Sequence, residues 1–406
     1  MGKKENLVIL ILAFLPFVMV IGNSMFIPIL PIIERDLHIS SAEAGLLLTA
    51  FSIPAAIIIP FIGYFSQKFG AKKMIITSLL FILIGSLISS LAPFIGESRI
   101  VFNCLIVGRA IQGFGAGGTA PLAMTIIGNV FLGTSRSKAL GMMELFNGLG
   151  KMISPLLGVT AVFFTWYSAF WFYFILSLTI LLLIQTYIDS DSKGIDLSIL
   201  KYFHSVGGIF KREYRWIFPV YFTGASIMFI LFGLFVYFSY EIEQVYLIES
   251  IEKGVLFSIP LGGLTIASYF SGRFIGAKNE NLQKIVVISF ISMVTVLIFG
   301  MILHSFTVLF IIITVFSIGA GLLLPCCNLL VTSNISKEER GVVVSFYGMF
   351  RFLGVAFGPL IYSQWMYMEW WMFMYSFFIL IIVGVSLYLG FMTVTKRETT
   401  ISPFSS

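Results

Sequence analysis

One short segment of this chain occurs twice, half a chain length apart. Tyr64-Phe-Ser-Gln-Lys-Phe-Gly-Ala-Lys72 returns as Tyr269-Phe-Ser-Gly-Arg-Phe-Ile-Gly-Ala-Lys278, with one inserted Ile. Each copy ends a long apolar stretch, and the spacing is half of 406 residues. Two fused copies of one unit are therefore expected. In membranes such internal symmetry marks secondary transporters, whose substrate site lies between the repeats.

The apolar stretches decide what the unit is. Charged residues make up 11% of the chain and hydrophobic ones 58%. A soluble domain is about 25% charged, so a soluble globule is excluded. A membrane-spanning helix needs about 20 mainly apolar residues. Twelve stretches qualify: 7–31, 43–65, 74–94, 100–125, 139–163, 167–188, 215–239, 254–275, 285–303, 307–330, 341–364 and 370–392. The expected fold is an all-α integral membrane protein. Its 12 transmembrane helices form two pseudo-symmetric six-helix bundles around a central cavity. The domains expected are 1–188, a charged linker over 189–214, and 215–406. The first stretch has no small-residue cleavage site and reads as a retained helix.

Lys and Arg set the orientation. Nineteen of the 25 fall at the two ends or in loops on the same side, three on the other side, and three inside spans. This bias places both termini in the cytoplasm of a multi-pass cell-membrane protein. The net charge of +6 thus reflects loops and is no nucleic-acid signal. Cys104, Cys326 and Cys327 lie in apolar stretches and have no metal-ligand spacing. No metal or cofactor is expected, nor an enzyme, since no nucleophile–base pair is evident. No G-x-x-x-x-G-K-[ST] motif offers a nucleotide site.

The few ionisable residues inside spans are functional candidates, because charge in a bilayer costs at least about 2.5 kcal/mol. They are Arg109, Glu144, Lys151 and Arg351. Glu144, Asn147, Gly148 and Lys151 share one helix face. Glu144 reads either as a proton site or as a gate acid near the Arg136 loop. Lys151 reads as a cavity cation, either binding an anionic headgroup or pairing with Glu144. Arg351 is its counterpart in the second half: aligning Pro155 with Pro359 sets Arg351 opposite Asn147. Asn23, Gln112, Asn147, Lys151 and Arg351 are the expected substrate-cavity residues. Three intramembrane cations against one acid point to a neutral, zwitterionic or anionic amphipathic cargo. The outer acids Glu34, Asp36, Glu241 and Glu243 read either as proton-uptake sites or as solvated helix ends. Pro155 and Pro359 can bend spans 5 and 11, and the glycines of span 4, Gly113 first among them, allow close helix packing.

Four motifs in order carry a resemblance. The turn after span 2 reads Gly63-Tyr-Phe-Ser-Gln67-Lys68-Phe-Gly70-Ala-Lys72-Lys73. Span 4 reads Arg109-Ala-Ile-Gln112-Gly113-Phe-Gly115, and span 5 reads Gly150-Lys-Met-Ile-Ser154-Pro155-Leu-Leu-Gly158. Span 1 ends in Pro28-Ile-Leu-Pro31. With the two six-span halves, these resemble the major facilitator superfamily over essentially the whole chain, in its 12-helix drug:proton antiporter branch. The resemblance implies that Arg109, with Glu144, couples protons to substrate exchange. The alternative for Arg109 is a brace on backbone carbonyls. It also implies gating roles for Gly63, Gln67, Lys68, Gly70, Lys72, Gly113, Pro155, Gly158 and Pro359. Gln67 stands where the family carries an acid, and Ser154 where it usually carries Gly. The implied partners are an amphipathic small molecule, protons and membrane lipids, with the chain a monomer. The implied function is proton-coupled efflux by alternating access. The alternatives are a lipid or glycolipid flippase and a dedicated metabolite exporter.

Overall fold

The computed structural model describes residues 3–188, 199–248, 250–275, 279–303 and 305–401. Twelve of its helical segments are long and apolar enough to cross a membrane. Helices α1 (Lys3–Ser24) and α2 (Leu30–Leu37) together make the first span. The other eleven are α3 (Ser41–Phe69), α4 (Ala71–Leu91), α5 (Ser98–Val130), α6 (Gly133–Val162), α7 (Ser168–Tyr187), α8 (Ile199–Gln244), α9 (Ser250–Ile275), α10 (Asn279–Ile302), α11 (Phe306–Ser333), α12 (Lys337–Trp365) and α13 (Glu369–Ile401).

Local chemistry explains the boundaries. Ser40 and Glu43 form a capping box at the start of α3, each side chain meeting the other's backbone N–H. Helices α3 and α4 are joined by Gly70 alone, at φ +89°. A side chain there is strained, so this position of the repeated segment requires glycine. The first span is interrupted rather than continuous. A short 3-10 turn at Ile27–Ile29 carries Pro28, and Pro31 lies in the first turn of α2. Proline lacks the N–H a continuing helix needs but suits a helix start.

The predicted linker is helical in its second part, since α8 begins at Ile199. Its charges hid a periodic buried face: Val206, Ile209, Trp216, Ile217 and Val220 are buried, while Lys211, Arg212 and Arg215 are exposed. Residues 189–198 of the linker and residues 276–278 of the second repeat copy lie outside the described residues.

The repeat is visible in local geometry. In the first copy Tyr64 meets Phe65 edge-on at 5.5 Å, and Phe65 stacks on Phe69 at 6.3 Å. In the second, Tyr269 meets Phe270 at 5.6 Å and Phe270 stacks on Phe274 at 6.2 Å. Packing repeats too. A Cβ on Gly113 would lie 2.0 Å from the Phe51 carbonyl oxygen, which brings α5 against α3. A Cβ on Gly321 would lie 2.3 Å from that of Leu264, which brings α11 against α9 in the same way.

The halves meet mainly along two seams, α3 with α12 and α6 with α9, and also where α2 and the 3-10 turn approach α8. At the first, Thr49 Oγ1 donates to the Ala356 carbonyl (2.6 Å), and Ser41 Oγ lies 2.7 Å from the Tyr367 hydroxyl. At the second, Ser258 Oγ donates to the Met152 carbonyl (2.8 Å) and Thr265 Oγ1 to that of Gly148 (3.4 Å). Among the described residues, these bonds lie midway along the helices or toward the face opposite the termini. Toward the face bearing the termini, Gln67, Lys68 and Phe69 are exposed.

Candidate functional site

Arg109 is completely buried in α5. Its Nε donates to the Leu47 carbonyl (3.1 Å) and its Nη2 to Asn23 Oδ1 (3.2 Å). Its Nη1 donates to the Gly22 carbonyl (2.5 Å) and to Gln112 Oε1 (2.9 Å). The guanidinium also lies between the rings of Phe26 and Phe51, 4.5 and 4.4 Å from their centroids. The break in the first span makes this possible. In a continuing helix the Gly22 carbonyl would accept from Phe26 N–H, but that N–H turns to Asn23 instead. The freed carbonyl then takes the guanidinium, as helix-end carbonyls take donors from elsewhere.

The network extends further. Gln112 Nε2 donates to Ser86 Oγ (3.1 Å), and Asn23 Nδ2 to Ser52 Oγ (3.3 Å). Arg109 thereby ties α1, α3, α4 and α5 together, and every hydrogen bond ends on a neutral oxygen. Three expected site residues, Arg109, Asn23 and Gln112, are thus brought into one cluster.

A second group lies on α6 and α12. Gly148 packs on Thr265 of α9, and Gly150 on Phe17 of α1. Next to that contact, Phe146 meets Phe14 edge-on at 4.7 Å. Lys151 is half-buried, and its charged neighbours are Arg351 from the other half and Glu144 from its own helix. Among the described residues, Lys151 Nζ has no hydrogen bond or ion pair, and neither has Glu144, which is exposed. Arg351 is half-buried, with its Nε enclosed and without a hydrogen-bond partner. Its guanidinium lies 5.7 Å from the centroid of the Tyr347 ring. Asn147 is half-buried on the same α6 face as Glu144 and Lys151.

The expected gating residues are dispersed. Lys72 Nζ donates to the carbonyls of Gln185 and Ile188, capping the end of α7. Helix ends favour such a cation. Lys68 donates to the Tyr64 hydroxyl (3.4 Å), and Gln67 is exposed. A side chain at Gly63 would meet open space, whereas one at Gly158 would lie 2.1 Å from the Met25 carbonyl oxygen. Pro155 and Pro359 lie inside α6 and α12, and the Pro359 carbonyl packs against Gly45 of α3.

The opposite face holds a polar cluster that sequence reasoning left as loose ends. Lys253 donates to Glu243 at 2.5 Å, with both side chains 1–2% exposed. Arg35 of the first half approaches the other Glu243 oxygen at 2.9 Å. The Tyr240 hydroxyl of α8 donates to Glu34 of α2, also between the halves, and within the first half Trp166 Nε1 donates to Asp36 (2.6 Å). Glu243 is therefore not a solvated helix end, Glu34 is half-buried, and Asp36 is exposed although it accepts from Trp166. No local sequence signal marks this cluster, because it forms only where helix ends of the two halves meet.

A cavity of about 670 Å³ lies elsewhere, between α10 and α13, lined by residues such as Val287, Phe290, Gly384 and Tyr388. None of the expected site residues lines it. Among the described residues, no cluster of His, Cys, Asp and Glu could hold a metal ion.

The Major Facilitator Superfamily profile matches residues 12–359 and 248–405. The chain is 35% identical over 395 residues to the bacillibactin exporter of Bacillus subtilis, covering 96% of this chain and 97% of that one. It is 26% identical over 361 residues to the quinolone resistance protein NorA of Staphylococcus aureus, covering 88% and 89%. A bacterial homologue of the human lysosomal transporter Spinster, solved inward-facing and unoccupied, superposes with a TM-score of 0.77 at 13% identity, covering 98% of both chains.

Proposed function

The chain belongs to the major facilitator superfamily, and from that premise we propose that this transporter exports amphipathic small molecules by proton-coupled alternating access. It sits in the cell membrane with both termini in the cytoplasm. The observation that carries this reading is the pattern of contact between halves. Hydroxyl bonds at Thr49, Ser41 and Ser258 join them in the middle and toward the face opposite the termini. With the termini inside, Lys151, Arg351 and Glu144 are reached from the cytoplasm in this conformation. Parting these seams and closing the other face turns the same residues outward, which is alternating access between repeats.

Coupling is assigned to Arg109 and Glu144. Arg109 holds α5 to the broken first span, so a change there is felt by both helices. Glu144 is a charged neighbour of Lys151, and a proton gained or lost there alters the charge balance of that group. A dedicated metabolite exporter is the second reading. It is favoured by the full-length 35% identity to a bacillibactin exporter, against 26% to NorA.

The test is transport by proteoliposomes under an imposed pH gradient, following a fluorescent drug and internal pH together. Wild type should move drug against its gradient with matched proton flux, and Glu144→Gln should lose that coupling. Gradient-driven transport that persists in the mutant moves coupling away from Glu144. Absence of drug movement favours the metabolite reading.

A further inference from the structure

The intramembrane cations fall into two kinds. Arg109 spends its donors on four hydrogen bonds. Lys151 and Arg351 spend none on hydrogen bonds or ion pairs among the described residues, although they are charged neighbours. Two like charges near each other, half out of water, repel, and each is costly in a membrane. Among the described residues, Glu144 is the carboxylate that neighbours Lys151, and one carboxylate cannot balance two cations.

We propose that Lys151 and Arg351 form an anion-binding site that docks the acidic group of the cargo. This rests on the reading of the chain as an exporter and specifies its substrate as an amphipathic aromatic anion. The guanidinium offers a planar fork that matches a carboxylate or sulfonate, and the ammonium supplies a second, compact charge. The half-buried rings of Phe14, Phe17 and Phe146 beside α6 provide the apolar wall, while the fully buried Tyr347 ring backs the Arg351 guanidinium. An acid between the two cations completes the charge balance that Glu144 leaves unfinished. It also bridges α6 of one half and α12 of the other, so occupancy is sensed by both bundles. An anionic cargo is in addition driven outward by an inside-negative potential, worth about 2.3 kcal/mol per charge per 100 mV.

The test uses three compounds with one ring system: 2-naphthoate, 2-naphthamide and 2-naphthylmethylammonium. Calorimetric binding to the purified protein should favour naphthoate over the amide by about 10-fold, as a charge-assisted hydrogen bond predicts. Lys151→Gln and Arg351→Gln should each lower that preference about 10-fold, and Lys151→Arg and Arg351→Lys should restore most of it. An amide or ammonium compound that binds equally well overturns the site. So does a preference that survives the double Lys151→Gln, Arg351→Gln variant, or failure of all three to bind. Drug efflux in the pH-gradient experiment without any anion preference removes the anion site and leaves the exporter standing. Failure of efflux with the preference intact does the reverse.

Discussion

Asn23 and Arg109 meet across the break in the first span, Oδ1 to Nη2 at 3.2 Å, while the Asn23 amide is itself held by Ser52. A neutral side chain therefore faces a completely buried cation. Arg109 is held by geometry rather than by an opposite charge, and this has a consequence for substitution.

Arg109→Lys should fail although it keeps the charge. One ammonium cannot reach Leu47, Gly22, Gln112 and Asn23 together, and a lysine is no substitute at a forked site. Loss of several charge-assisted bonds, at about 1.5–3 kcal/mol each, should lower transport at least about 10-fold. Initial rates in proteoliposomes, normalised to folded protein, check this.

The buried Lys253–Glu243 pair should tolerate loss of both partners better than loss of one. Removing one side of a buried pair costs about 3–5 kcal/mol, because the other charge is stranded, whereas replacing both is often near neutral. Glu243→Gln alone should therefore lower the melting temperature of the purified protein. Glu243→Leu with Lys253→Met should recover most of it.

Glycine positions separate sharply. Gly113→Val and Gly321→Val should abolish monodisperse protein, since a Cβ at either would press on a backbone oxygen 2.0 or 2.3 Å away. Gly63→Ala should leave the elution profile unchanged, because that Cβ would meet nothing within 4 Å. Fluorescence-detected size-exclusion chromatography distinguishes the two groups.

Thr49→Val keeps shape and removes the bond to the Ala356 carbonyl between the halves. A net bond is worth about 0.5–1.5 kcal/mol, so the population with that seam open should rise about 2- to 10-fold. Thiol labelling of a cysteine placed at Ala356 reports the change.

The twelve spans were legible because hydropathy and length suffice when lipid is the solvent. The Arg109 cluster was legible in membership but not in cause. Nothing in the residue string says that Phe26 N–H abandons Gly22; that follows from the 3-10 turn around Pro28. The start of α8 was obscured because charge was counted along residues 199–214 and its helical period was not. The Glu243–Lys253–Arg35 group depends on helix ends from both halves meeting, which no local pattern encodes. Lys151 and Arg351 were singled out as costly charges. Their proximity to each other is a tertiary fact.

Within each bundle, α5 rests on α3 and α11 on α9 with backbone against backbone, at distances that leave no room for slip. Between bundles many of the fastenings are of another kind: hydroxyl groups of Thr49, Ser41 and Ser258, each replaceable by a water molecule, with the Arg35–Glu243 and Tyr240–Glu34 contacts beside them. The molecule is thus built like two castings clasped by wet hooks. Whatever drives its stroke exchanges those hooks for solvent and parts the charged contacts, and leaves the castings unbent.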